Sequence, residues 1–184
     1  MEALQPITVK ILDLFKINGN SMYGGEAVTQ LEHALQSATL AMNNNASDAL
    51  ITAALLHDIG HLLHDLPDDA SDNGIDDVHE SLAANFLVAY FTPAVVEPVK
   101  LHVAAKRYLC AVDQHYYETL SAPSKISLSF QGGIMNENEI VDFEQNTYFK
   151  DAVILRKWDD IAKDPEMSTP QIDHFVNAIE KSLK

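Results

Sequence analysis

Cysteine is almost missing: Cys110 is the only one in 184 residues, which excludes an intramolecular disulfide and leaves no partner for a cysteine-ligated structural zinc. Basic residues are scarce as well. Twelve Lys and Arg against 27 Asp and Glu give a formal net charge of -15, which opposes binding to phosphate backbones and to anionic membrane surfaces. No nucleic-acid partner and no membrane partner are therefore expected. No apolar run approaches the length needed to span a bilayer. The N-terminal stretch MEALQPITVKILDLFKINGN has neither a basic leader nor a small-residue cleavage site, so it does not read as a signal peptide and the expected location is cytoplasmic. Sustained strand-like alternation, internal repeats and low-complexity tracts are also wanting.

What is present is helical periodicity and enough length for one domain, 1–184, to bury a core unaided. Val28, Leu31, Leu35, Ala38 and Met42 recur at three- and four-residue steps, the spacing of one helix face. The pattern predicts an all-α bundle with helices over 26–44, 47–64, 78–91, 97–110, 112–120, 136–146, 147–163 and 170–183. Ser47 is the expected N-cap of the second, with Asp48 in its first turn, and Pro98 and Pro170 suit first-turn positions. Residues 65–77 hold six aspartates and no basic residue, a composition that favours a solvated connection. Residues 121–135, with Pro123, Gly132 and Gly133, read as an irregular connector.

The segment AALLHDIGH, residues 53–61, puts two histidines and an aspartate in a helix that is apolar nearly all round, and such a helix is buried. A buried aspartate beside a histidine is costly unless each is paired or bound to metal. Adjacent side chains on a helix diverge by about 100 degrees, so His57 can grip one ion while Asp58 bridges to a second. An isolated HD dipeptide would more often be a satisfied polar pair, but this one has company. His33 lies on a polar helix face, His79 opens the helix after the acidic segment, His102 follows in the next helix, and Asp159 comes after Trp158. Each alone reads as ordinary. In the order His33, His57-Asp58, His79, His102, Asp159 they match the expanded pattern of HD-superfamily proteins that hold two metals. Four imidazoles and two carboxylates suit iron or manganese better than calcium, and two divalent ions against two aspartates leave the site cationic, ready for an anion.

Lys106, four residues after His102, shares its helix face and can pair with an anionic group at the metals. His61, one turn beyond His57, can donate to a bound substrate or act as acid or base. His64 reads as a surface residue, and His115 and His174 as structural. The H-x-x-x-H spacing of His57 and His61 resembles that of zinc proteases, but Asp58 stands where those need glutamate and Gly60 weakens the helix.

YGGEAVTQLEHALQSA (23–38), AALLHDIGH (53–61), HVAAKRYL (102–109), SKISLSFQGG (124–133) and RKWDD (156–160) together resemble the PhnZ-like family of mixed-valent di-iron HD oxygenases, which cleave carbon–phosphorus bonds in organophosphonates. The resemblance runs from about residue 23 to about residue 160 and leaves the acidic segment outside it. It implies an HD-domain fold, two iron ions as an Fe(II)/Fe(III) pair, and O2 as co-substrate. The implied substrate is a small 1-hydroxyphosphonate, such as a 2-amino-1-hydroxyethylphosphonate-type compound, which yields a carboxylic acid and phosphate. By position it implies His33, His57 and Asp159 on one iron, His79 and His102 on the other, and Asp58 between. Tyr23 and Glu26 would close the site. His61, Lys106, Ser124, Ser127 and Gln131 would hold the phosphonate. Ser124 and Ser127 would otherwise read as turn or capping residues after Pro123.

Three other readings fit part of the pattern. An HD phosphohydrolase or phosphodiesterase would use the same metals to activate water against a phosphate ester or nucleotide. An oxidase in the manner of inositol oxygenases fits the ligands but has no need of Lys106. A metal-stabilised binding module would keep ligands without turnover.

Overall fold

The computed structural model describes residues 3–63 and 79–184; the acidic connection expected over 65–77 and His64 lie outside the described residues. Helices α1 (Pro6–Asn18), α2 (Gln30–Asn43), α3 (Asp48–Leu56), α4 (His79–Leu87) and α5 (Pro93–Val112) come first. They are followed by α6 (Tyr116–Thr119), α7 (Ala122–Phe130), α8 (Glu137–Glu144), α9 (Phe149–Ile161) and α10 (Val176–Lys181). Short 3-10 segments cover Ile59–Leu62 and Ile172–Phe175. Among the described residues β-structure is limited to two isolated bridges, Met22 to Thr29 and Phe91 to Leu183. No described helix is long and apolar enough to cross a membrane.

The bundle is organised around α3. Leu55 and Leu56 are buried, and α3 packs on α2, α5, α9 and α10, as its near-uniform apolar surface requires. Ile11 and Phe15 of α1, Ala38 of α2, Val95 and Val99 of α5, Leu155 of α9 and Ile179 of α10 complete the same core cluster. Truncating one such aliphatic side chain to alanine costs about 2–5 kcal/mol. The pair α5 and α9 is packed most extensively, and these two helices carry His102, Lys106, Arg156 and Asp159.

Several boundaries differ from the periodicity reading, each for a local reason. The helix expected over 26–44 begins at Gln30, because Thr29 and Glu32 form a reciprocal capping box that fixes the start. Residues 23–28 are instead a tight turn, in which Gly24 (φ 36) and Gly25 (φ 77) take left-handed backbone that side-chain-bearing residues avoid. The helix expected over 47–64 does start at the Ser47 cap, but it ends at Leu56 and passes into 3-10 geometry, so Gly60 stands outside the α-helix. The connector expected over 121–135 contains α7, capped by the Ser121 hydroxyl. The helix expected to start at 97 begins at Pro93, so Pro98 lies inside it rather than in its first turn. Pro170 precedes the 3-10 segment before α10 and starts no helix. The N-terminal stretch forms α1, with Pro6 in its first turn.

Candidate metal centre and anion pocket

Asp58 occupies the middle of the site because α3 ends two residues before it, at Leu56. His57 still has helical backbone (φ -60, ψ -35), while Asp58 turns to φ -103 and ψ 13, which swings its carboxylate away from the helix axis toward α4 and α5. One oxygen, Oδ2, lies 3.5 Å from His33 Nε2 and 3.3 Å from His57 Nε2. The other, Oδ1, lies 3.2 Å from His79 Nε2 and 3.3 Å from His102 Nε2. The imidazoles form two pairs, His33 with His57 and His79 with His102, each with its Nε2 atoms 3.1 Å apart. Asp159 joins the first pair, with Oδ1 3.5 Å from His33 Nε2.

Backbone carbonyls set the histidine tautomers. His33 Nδ1 donates to Ala162 O at 2.7 Å, His57 Nδ1 to Ala54 O at 2.9 Å and His102 Nδ1 to Val99 O at 2.7 Å. A carbonyl only accepts, so the proton sits on Nδ1 and the Nε2 lone pair of each neutral ring faces the centre. His33 and His57, both neutral in this arrangement, cannot hydrogen-bond to each other through two lone pairs, and Asp58 Oδ1 is a buried oxygen with no hydrogen-bond partner. Such an arrangement, with His33, His57 and His102 at most 1% exposed, is costly unless a cation fills it. The donors therefore fit a pair of divalent ions, one at each histidine pair. His33, His57 and Asp58 converge as one ligand group and Asp58, His61 and His79 as another, with donor atoms within 4.8 Å of one another.

Burial opposes charge on Asp58, yet where protons rather than a cation sit on the inward nitrogens, the charge of His57 and hydrogen bonds from His102 and His33 hold its carboxyl well below the usual carboxylate range. Asp159 is likewise buried and is held low by the Arg156 guanidinium and then by His57. Arg156 Nη1 lies 2.7 Å from Asp159 Oδ2. The same guanidinium pairs with Asp160 and donates through Nε to the Tyr116 hydroxyl at 3.2 Å. Sequence reasoning assigned Arg156 no role, although its i, i+3, i+4 spacing to Asp159 and Asp160 was legible.

Tyr23 covers one side. Its ring stacks on His33 with centroids 3.8 Å apart, and its hydroxyl donates to Asp159 Oδ1 at 3.4 Å. Burial, reinforced by Asp159 and Asp58, pushes the Tyr23 phenol well above its ordinary value. On the other side His61 stacks on His79 with centroids 4.2 Å apart. Gly60 lets this happen, since a Cβ there would lie 2.1 Å from His79 O.

One helical turn beyond His102 on α5, Lys106 opens a cluster of polar side chains. Lys106, only 2% exposed, donates from Nζ to Ser127 Oγ at 2.7 Å, and Ser127 Oγ donates to Ser124 O at 3.2 Å. Burial, helped by the Arg156 charge, lowers the Lys106 ammonium to about 7. Ser121 caps α7, so Ser124 and Ser127 are free of that duty. Gln131 Oε1 is shielded from solvent with no hydrogen-bond partner. Glu26 Oε1 accepts from Ser121 Oγ at 2.5 Å and lies 3.2 Å from Lys163 Nζ. Lys163 is the second site residue that sequence reasoning missed. His115 and His174 are exposed, away from this cluster.

An all-helical bundle with these histidines and aspartates gathered by five separate segments is the architecture of an HD-domain protein, and the HD-domain family model matches residues 30–125. A hydroxymethylphosphonate dioxygenase of Gimesia maris is 45% identical over 175 residues, which cover 95% of this chain and 87% of that protein. The glycine-betaine-forming [1-hydroxy-2-(trimethylamino)ethyl]phosphonate dioxygenase of Leisingera caerulea is 39% identical over 170 residues, 92% of this chain and 87% of that one. Protein L432 of Acanthamoeba polyphaga mimivirus is 34% identical over 170 residues, 91% of this chain and 77% of its own. The chain belongs to the HD-domain family and, within it, to the PhnZ-like HD oxygenases.

Proposed function

We propose that the protein is an iron- and O2-dependent dioxygenase that cleaves the carbon–phosphorus bond of a small 1-hydroxyphosphonate to a carboxylic acid and phosphate. For the one-carbon case the atoms balance as hydroxymethylphosphonic acid plus O2 giving formic acid plus phosphoric acid. The observation that carries the reading is the division of Asp58, whose two oxygens each face a different pair of histidine Nε2 atoms. The relatives that act on phosphonates give that dinuclear donor set its direction.

His33, His57 and Asp159 would hold one iron, His79 and His102 the other, and Asp58 would bridge them. When bound, a mixed-valent iron pair supplies activation of dioxygen and removal of hydrogen from the carbon that bears the hydroxyl. The chain does the rest by placement. Lys106 and the hydroxyls of Ser124 and Ser127 give a dianionic phosphonate charge-assisted hydrogen bonds, which fix the scissile bond relative to the metals. Gln131, with its unpartnered oxygen, faces a donor on the substrate. His61, stacked on His79, hydrogen-bonds the phosphonate. Tyr23 and Glu26 close the site: the Tyr23 hydroxyl lies at Asp159, so substrate must move it aside, and the turn that carries it is shaped by the left-handed backbone of Gly24 and Gly25.

The test is phosphate release by iron-reconstituted protein from hydroxymethylphosphonate and its 2-amino and 2-trimethylamino homologues, with and without oxygen. Release that requires oxygen supports the proposal. Oxygen-independent release from a phosphate ester or nucleotide would favour a phosphohydrolase instead, and tight binding without turnover a binding module.

A further inference from the structure

Lys163, paired with Glu26, has no role in the reaction proposed above, yet it lies among the residues that carry it. Helix α9 ends at Ile161, and Ala162 leaves helical geometry at ψ 48. That same turn aims Ala162 O at His33 Nδ1 and carries Lys163 back over the pocket, its Nζ 5.7 Å from the Tyr23 ring centroid. The ammonium is then held twice, at 2.9 Å from Ser124 Oγ and 3.2 Å from Glu26 Oε1. Both side chains of the ion pair are largely shielded, Lys163 at 11% and Glu26 at 14% exposure. A continuous polar string results: Glu26, Lys163, Ser124, Ser127, Lys106.

The phosphonate belongs at the Lys106 end of this string, where cations and hydroxyls converge. Glu26 terminates the other end, and a carboxylate so shielded, if it had no cation beside it, would attract a cationic group carried by the substrate. Lys163 already supplies that cation. A substrate ammonium would have to displace it, breaking both contacts, or sit beside a like charge where solvent screening is weak. We infer, resting on the phosphonate-cleaving reading above, that Lys163 sets the substrate class. By occupying Glu26 it commits the pocket to 1-hydroxyphosphonates with no cationic group beside the hydroxylated carbon, of which hydroxymethylphosphonate is the smallest.

The experiment compares hydroxymethylphosphonate, 2-amino-1-hydroxyethylphosphonate and its trimethylated form on wild-type, Lys163→Met and the Lys163→Met/Glu26→Gln double variant. Binding is measured by calorimetry of the iron-loaded proteins without oxygen, and phosphate release with oxygen. The ratio between substrates within one preparation is independent of the folded or metal-loaded fraction, so a partly unstable variant still reports. The wild type should favour hydroxymethylphosphonate over the aminated compounds by about tenfold or more, the effect of one well-shielded charge contact. Lys163→Met should shrink that ratio about tenfold by freeing Glu26, and the added Glu26→Gln should restore it. A wild-type preference for a cationic substrate, or a ratio that Lys163→Met leaves unchanged, overturns the inference. The expected binding ratios without phosphate release from any compound would uphold Lys163 as the selector and overturn the oxidative reaction. Absence of both binding and release overturns both.

Discussion

Arg156 Nη1 lies 2.7 Å from Asp159 Oδ2, and both side chains are at most 5% exposed. The pair sits where the metal donors meet the anion pocket: Asp159 belongs to the first histidine pair, and Arg156 reaches on to Asp160 and Tyr116. A guanidinium buried this deeply keeps its charge because two carboxylates outweigh the burial that opposes it, and its planar fork lets it serve both at once.

Arg156→Met should therefore be severe. Removing one partner of a buried pair strands the other charge, a loss of about 3–5 kcal/mol, which urea unfolding of the metal-free protein would measure. Iron should recover part of the loss, because a cation at His33 and His57 again neutralises Asp159. A destabilisation under about 1 kcal/mol would show that the pair is solvated in a way its burial contradicts.

Asp58→Ala removes a group shared by both histidine pairs and should strip most of the bound metal. Lys106→Ala should leave metal content near wild type and weaken phosphonate binding by about tenfold or more, since it deletes a shielded charge-assisted contact. Metal analysis of the two purified variants separates the roles. Equal metal loss in both would mean that Lys106 supports the metals rather than the substrate.

Phosphonate affinity should depend on the Lys106 proton. Burial lowers its ammonium to about 7, so the cation is present in the free protein below that pH and is lost as pH rises through it. Binding of a phosphonate dianion should weaken above neutrality by up to about tenfold per pH unit. Bound anion favours the charged form, so the corresponding fall in the complex is displaced upward. Titration calorimetry from pH 6 to 9 on wild type and Lys106→Met checks this, since the variant should lose that portion of the pH dependence.

Gly60→Ala should act on the metals more than its size suggests. The added Cβ would lie 2.1 Å from His79 O and 2.8 Å from His79 C. Backbone, not a flexible side-chain end, must then move. The overpacking costs about 1–3 kcal/mol and displaces the residue that opens α4, so metal binding should fall along with the melting temperature. Unchanged metal affinity would mean that His79 does not need its observed position.

The helical class, the apolar burial of α3 and the polar residues worth suspecting were legible in the chain itself, because three- and four-residue apolar spacing and a charged pair within an apolar run are local signals. The ends of elements were less legible. Gly24 and Gly25 with the Thr29–Glu32 box delay α2, and the turn at Asp58 depends on α4 and α5 arriving on the far side. His33 illustrates the difference. By periodicity it lies on a polar face that must meet solvent or a polar site, and only packing against Tyr23, His57 and Ala162 makes it 0% exposed. Arg156 and Lys163 went unassigned because a lysine or arginine in a charged helix terminus is ordinarily solvated. What the sequence determined alone was a set of donors on helices. Tertiary structure decided which oxygen of Asp58 faces which imidazoles and which carboxylate Lys163 occupies, since both are set by segments more than twenty residues apart in the chain, beyond the reach of any local pattern.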